Sequence, residues 1–192
     1  MKLRSLYVVA AAAVGALALT ACGDDAAKTA GTASTGAAFN EADVSFAQGM
    51  IPHHEQAIEM ADIALDPTIG ASDSVRDLAS RIKGGQDPEI ILMTGWLAAW
   101  GQPVQMDTGE GHDMSSMEGV MSAGEMDALG ALTGGDFDAM WLEMMIRHHQ
   151  GAITMAQTVK AAGADADVLA LADRVIAAQQ GEIAEMQALL GT

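Results

Sequence analysis

Beyond residue 38 apolar residues recur at steps of three and four, and no stretch alternates with the period of a strand. Phe46, Met50, His53, Ala57, Met60 and Ala64 share one stripe, which predicts a helix from about Glu41 to Leu65 capped by Asn40. Pro52 falls inside it, so a kink is expected there. Asp66-Pro67-Thr68-Ile69-Gly70 breaks the pattern. A second helix is predicted from Ser72 or Asp73 to about Trp100, bent at Asp87-Pro88 and ended by Gly101-Gln102-Pro103. Residues 101 to 121 are rich in Gly, Ser, Asp and Met and read as a linker. Ser122-Ala123-Gly124-Glu125 is a capping box that opens a short helix to about Leu132, ended by Gly134-Gly135. The third long helix is expected from Asp136 to about Ala162, closed by Gly163, and the fourth from Asp165 to Leu190.

These helices form a repeat. Met50-Ile51-Pro52-His53-His54-Glu55-Gln56-Ala57-Ile58-Glu59-Met60-Ala61 returns as Met145-Ile146-Arg147-His148-His149-Gln150-Gly151-Ala152-Ile153-Thr154-Met155-Ala156. Leu78, Arg81, Gln86, Glu89, Ile90 and Met93 return as Leu171, Arg174, Gln179, Glu182, Ile183 and Met186. The repeated unit is therefore a whole helical hairpin, and two such hairpins bury their apolar faces by pairing. The expected fold is all-α, a four-helix up-down-up-down bundle with a Met-rich linker and a short extra helix between its halves. In that topology the first and third long helices run parallel, and the two His-His pairs lie at one height about a pseudo-twofold axis.

The N-terminus reads differently. Lys2 and Arg4 precede an apolar run from Leu6 to Leu19, and Leu19-Thr20-Ala21-Cys22 resembles a bacterial lipobox. The expected organisation is a lipoprotein signal peptide over 1–21, lipidated Cys22 with a flexible tether over 22–38, and the bundle over 39–192. Within the bundle, repeat one covers 39–100, the linker 101–135 and repeat two 136–190. The apolar run is short for a retained membrane span. Export to the periplasm or cell exterior, with a lipid anchor in the membrane, follows from that reading. The net charge of −17 makes nucleic acid and anionic headgroups poor partners, and attracts cations loosely over the whole surface.

Cys22 is the only cysteine, so the domain beyond it has neither a disulfide nor a thiolate ligand. Four of the five histidines sit in the two repeat copies. Met50 lies one turn before His53 and His54, and Met145 one turn before His148 and His149, so each copy offers imidazole and thioether from one face. Met60 and Met155 lie two turns further along the same stripes. His53, His54, His148 and His149 with Met50, Met60, Met145 and Met155 form the candidate metal set. Imidazole with thioether favours copper, as Cu(I) or Cu(II), whereas zinc has no use for so many thioethers. His112, Met114, Met117 and Met121 in the linker are a candidate second site, or a hydrophobic flap.

The paired motifs resemble the bacterial domain of unknown function family 305 over about residues 39 to 190. The resemblance implies a ferritin-like four-helix protein, exported or lipid-anchored, with copper binding and tolerance outside the cytoplasm. It implicates the same four histidines and neighbouring methionines. Two alternatives stay open. A ferritin-like di-metal oxidase would use Glu-x-x-His motifs, and this chain has none. A metal-free envelope binding module would keep the histidines as a structural, pH-sensitive cluster.

Overall fold

The computed structural model describes residues 39–105 and 117–191. It contains α1 (Glu41–Leu65), α2 (Asp73–Trp100), α3 (Ala123–Gly130), α4 (Gly134–Ala162) and α5 (Ala166–Leu190), and no strand among the described residues. None of these helices is long and apolar enough to cross a membrane. Both interior prolines lie within continuous helices.

Side chains at the helix starts satisfy amide groups that have no partner within the helix. The Asn40 side chain accepts from the amides of Ala42 and Asp43, and the Asp43 carboxylate accepts from the Asn40 amide. Ser122 and Glu125 make the same reciprocal pair at α3, while Ser72 and Asp165 cap α2 and α5. The α4 helix starts at Gly134, two residues before the expected Asp136. Gly134 sits at φ 60, a conformation open to glycine, and its amide donates to the Ile69 carbonyl at 2.9 Å. The glycine pair thus begins the helix rather than merely breaking the chain.

The all-α class is as expected, but the direction of the third long helix is not. In each hairpin the two helices are antiparallel, as shown by His54 with Glu89 and Asp62 with Lys83, then by His149 with Glu182 and Lys160 with Asp173. Between hairpins, Asn40 Nδ2 donates to the Ala162 carbonyl at one end of α1, and Trp141 Nε1 donates to the Met60 carbonyl near the other. Helices α1 and α4 are therefore adjacent and antiparallel, where up-down-up-down would make them parallel. The pseudo-twofold axis runs across the bundle. The long connection from Gln102 to Thr133 permits this, because it lets α4 begin beside Ile69 rather than beside the end of α2.

The core has two apolar parts. Met60, Leu78, Ile82, Phe137, Trp141, Met145 and Met186 lie in one. Phe46, Met50, Met93, Leu97, Val159 and Leu171 lie in the other. Each fully buried side chain of this size contributes about 1.5–3 kcal/mol by leaving water. Along α1 and α4 the histidines fall between the two parts.

Asp43 joins the start of α1 to the loop before α5. It is fully buried and accepts from the amides of Asn40, Ala164 and Asp165. Gly163 is there for room: its φ is −71, and a Cβ on it would come within 2.6 Å of the Asp43 carboxylate. Asp43→Ala strands those amides and is expected to cost about 3 kcal/mol in urea unfolding. A loss below about 1 kcal/mol would show that water replaces the carboxylate there.

Candidate metal centre

Where α1 crosses α4, His53 meets His148 with ring centroids 3.8 Å apart and planes inclined by 41°. Adjacent positions on a helix point about 100° apart, so His54 and His149 turn instead toward the other helix of their own hairpin. There His54 Nε2 donates to Glu89 Oε2 and His149 Nε2 to Glu182 Oε2, both at 2.8 Å. A carboxylate accepts only, which fixes a proton on Nε2, so in the neutral imidazole it is Nδ1 that carries the lone pair.

All four imidazoles are fully buried. Six of their ring nitrogens have no hydrogen-bond partner: both on His53, both on His148, and Nδ1 of His54 and His149. Burial, reinforced by the neighbouring His54, pushes His53 down from 6.5 to about 3. The Glu118 carbonyl opposes that shift without forming a hydrogen bond of normal geometry. His148 is held well below 6.5, again first by burial and then by the charge of His53. Each buried nitrogen left unpaired costs about 1–3 kcal/mol, so this layer stores a penalty that a ligand accepting its lone pairs would relieve.

Among the described residues, no three His, Cys, Asp or Glu side chains already surround one point. The nitrogen donors are paired rather than clustered, and thioethers would have to complete the set. The methionines are divided by the antiparallel crossing. Met60 and Met145 are fully buried with Trp141 and Phe137, and Met50 is fully buried in the other apolar part. Met155, half-buried, approaches Gly49, one turn before His53. Met117 arrives at the same place: the Cε groups of Met155 and Met117 lie 3.0 and 3.5 Å from where a Gly49 Cβ would be.

His112 and Met114 lie outside the described residues. Met117 and Met121 flank a turn that docks on α1 and α4. Gln56 holds it through both backbone groups of Met121, at 2.7 and 2.8 Å. The sulfur of Met121 accepts from the Arg147 guanidinium, so it faces a cation already. Glu118 and Gly119 pass so close to α4 that a Cβ on Gly151 would fall 1.9 Å from the Glu118 carbonyl oxygen. This part of the linker covers the helix crossing at the level of His148.

From sequence Glu89 and Glu182 are carboxylates that could join a site, with solvent exposure or local pairing, as with Arg81 or Arg174, the preferred reading. In the structure Arg81 pairs with Asp77 and Glu185, and the two glutamates hold histidines. The signal that could have found them is their recurrence at equivalent places in the repeat.

A family model described as Domain of unknown function (DUF305) matches residues 43–190. A DUF305 protein from Streptomyces coelicolor is 33% identical with TM-score 0.70, the match covering 78% of this chain and 91% of that one. A DUF305 fragment from Deinococcus radiodurans is 32% identical with TM-score 0.71, covering 80% of this chain and 97% of that one. CopM in its Cu(II)-bound form is 33% identical with TM-score 0.64, covering 77% of this chain and 94% of that one. No curated protein matches the chain.

Proposed function

The chain belongs to the DUF305 family, and from that premise we propose that it binds copper at the crossing of α1 and α4, outside the cytoplasm. The observation that carries this reading is the layer of four fully buried imidazoles with six unpartnered nitrogens. His53 and His148 would be the central donors, His54 and His149 would add Nδ1, and Met155 and Met117 would supply thioether on one side. Glu89 and Glu182 orient the outer imidazoles, the usual task of a carboxylate behind a ligating histidine. Thioether beside imidazole, with no thiolate in the domain, favours copper over zinc. CopM, solved with Cu(II), Cu(I) and silver, is a relative at 31–33% identity, which supports the choice of a soft ion. The lipobox-like segment ending at Cys22 supports a role as a membrane-attached buffer or carrier, in transport or tolerance of the metal.

The decisive measurement is copper stoichiometry and competition affinity of the chain from Phe39 onward, beside a variant with His53, His54, His148 and His149 changed to Ala. Whole-number copper, lost in the variant while its helical circular dichroism persists, is the expected result. Equal copper uptake by both proteins would place the metal elsewhere, and no tight copper in either oxidation state would end this reading.

A further inference from the structure

A second group of polar side chains lies between α2 and α5. Gln86 and Glu89 from α2 and Gln179 and Glu182 from α5 line a cleft of about 50 Å³. Gln86 and Gln179 are only 5% and 3% exposed, yet both amide atoms of Gln86 and the amide oxygen of Gln179 have no partner. The carboxylates are partly open to solvent, and each gives one oxygen to a histidine. These four residues are two equivalent pairs of the repeat, and all four line the one cleft.

The polar side chains share this cleft with Ile82, Val175 and Ala178. Four side chains present oxygen, and the buried amide atoms without a partner are the oxygens of Gln86 and Gln179 and the nitrogen of Gln86. A purely structural amide pair would satisfy itself, donor to acceptor. Two unpartnered amide oxygens beside two carboxylates can be met instead by a cation, directly or through the waters it carries, since metal-bound water donates outward. The lining offers the site neither sulfur nor imidazole, and oxygen donors suit hard divalent ions of the Mg²⁺, Ca²⁺ and Mn²⁺ type. A volume near 50 Å³ leaves room for water beside an ion.

We propose that the α2–α5 cleft is a second cation site, made of oxygen donors from Gln86, Glu89, Gln179 and Glu182, for a partly hydrated hard divalent ion. It is separate in chemistry from the copper centre and joined to it only through the His54–Glu89 and His149–Glu182 hydrogen bonds.

Mn²⁺ is the probe, added to the full chain and followed by the loss of the free-ion paramagnetic resonance signal. The salt is kept near 0.1 M, so that loose attraction to the acidic surface is screened. One Mn²⁺ per chain is expected above the diffuse background. Gln86→Leu with Gln179→Leu leaves every histidine and carboxylate in place and should weaken that binding at least tenfold. Glu89→Gln with Glu182→Gln should abolish it. His53→Ala with His148→Ala should retain it, so a failure of the copper reading leaves this result standing. Circular dichroism confirms that each variant is folded. Equal Mn²⁺ uptake by the wild type and the leucine pair would reduce the effect to surface attraction. No site above background in the wild type would make the cleft a pocket for water alone. Either outcome overturns the proposal.

Discussion

The metal-free domain is expected to lose stability steeply as the pH falls below 6.5. Burial holds His53 at about 3 instead of 6.5, so across that interval the folded chain binds fewer protons than the unfolded chain. Stability is therefore complete above 6.5 and declines as acid protonates the unfolded state first. Each pH unit costs about 1.4 kcal/mol for one such group, or roughly 2 kcal/mol from His53 alone at pH 5. His148 is shifted the same way and adds to the slope. Urea unfolding at pH 7, 6 and 5 measures it. His53→Leu with His148→Leu removes both groups, and its stability should be nearly flat over that range. A slope unchanged in the leucine pair would assign the loss to carboxylates elsewhere.

The same variant separates a metal centre from a structural histidine cluster. A structural cluster earns its place through hydrogen bonds, and removing it would destabilise the fold at neutral pH. Here His53 and His148 have no hydrogen-bond partner on either ring nitrogen. Leucine keeps much of the volume and leaves nothing polar to satisfy, so the pair should be at least as stable as the wild type at pH 7. Stability gained where copper is lost is the mark of residues kept for a ligand.

Much of this molecule was legible before its structure. Asn40, Ser72, Ser122 and Asp165 announced the helix starts, because a cap is a local contact between neighbours in sequence. The doubled histidine motif marked the two pairs as equivalent, but a twofold across the bundle brings together only residues near the axis: His53 and His148 meet there, whereas Met50 and Met145 are separated. The choice of axis was not legible: a long linker satisfies a parallel or an antiparallel α4 equally well. Nor was the role of Glu89, since its reach to His54 depends on the register of α1 against α2. Gly49 and Gly151 carry no side chain to signal anything, and their meaning lies in what approaches them.

Gly151→Gln is the substitution expected to change the centre most without touching a histidine. In the repeat, Gly151 stands where the first copy has Gln56, and the two positions receive the linker turn in opposite ways. Gln56 grips it with two hydrogen bonds to Met121, whereas Gly151 yields space to the Glu118 carbonyl. Any side chain at 151 collides with backbone at 1.9 Å, so the turn must leave α4. The helix itself gains, because glutamine is the better helix former by several tenths of a kcal/mol. Losing the grip of Gln56 as well would forfeit two hydrogen bonds of about 1 kcal/mol each, a roughly thirtyfold rise in the open population. The Met121 amide should then exchange rapidly with solvent, and bound copper should pass to a chelator at least tenfold faster. Gln56→Ala loosens the turn without displacing it and should show a smaller change in both. Rapid exchange at Met121 with unaltered copper release would show that the turn rests on the centre without closing it.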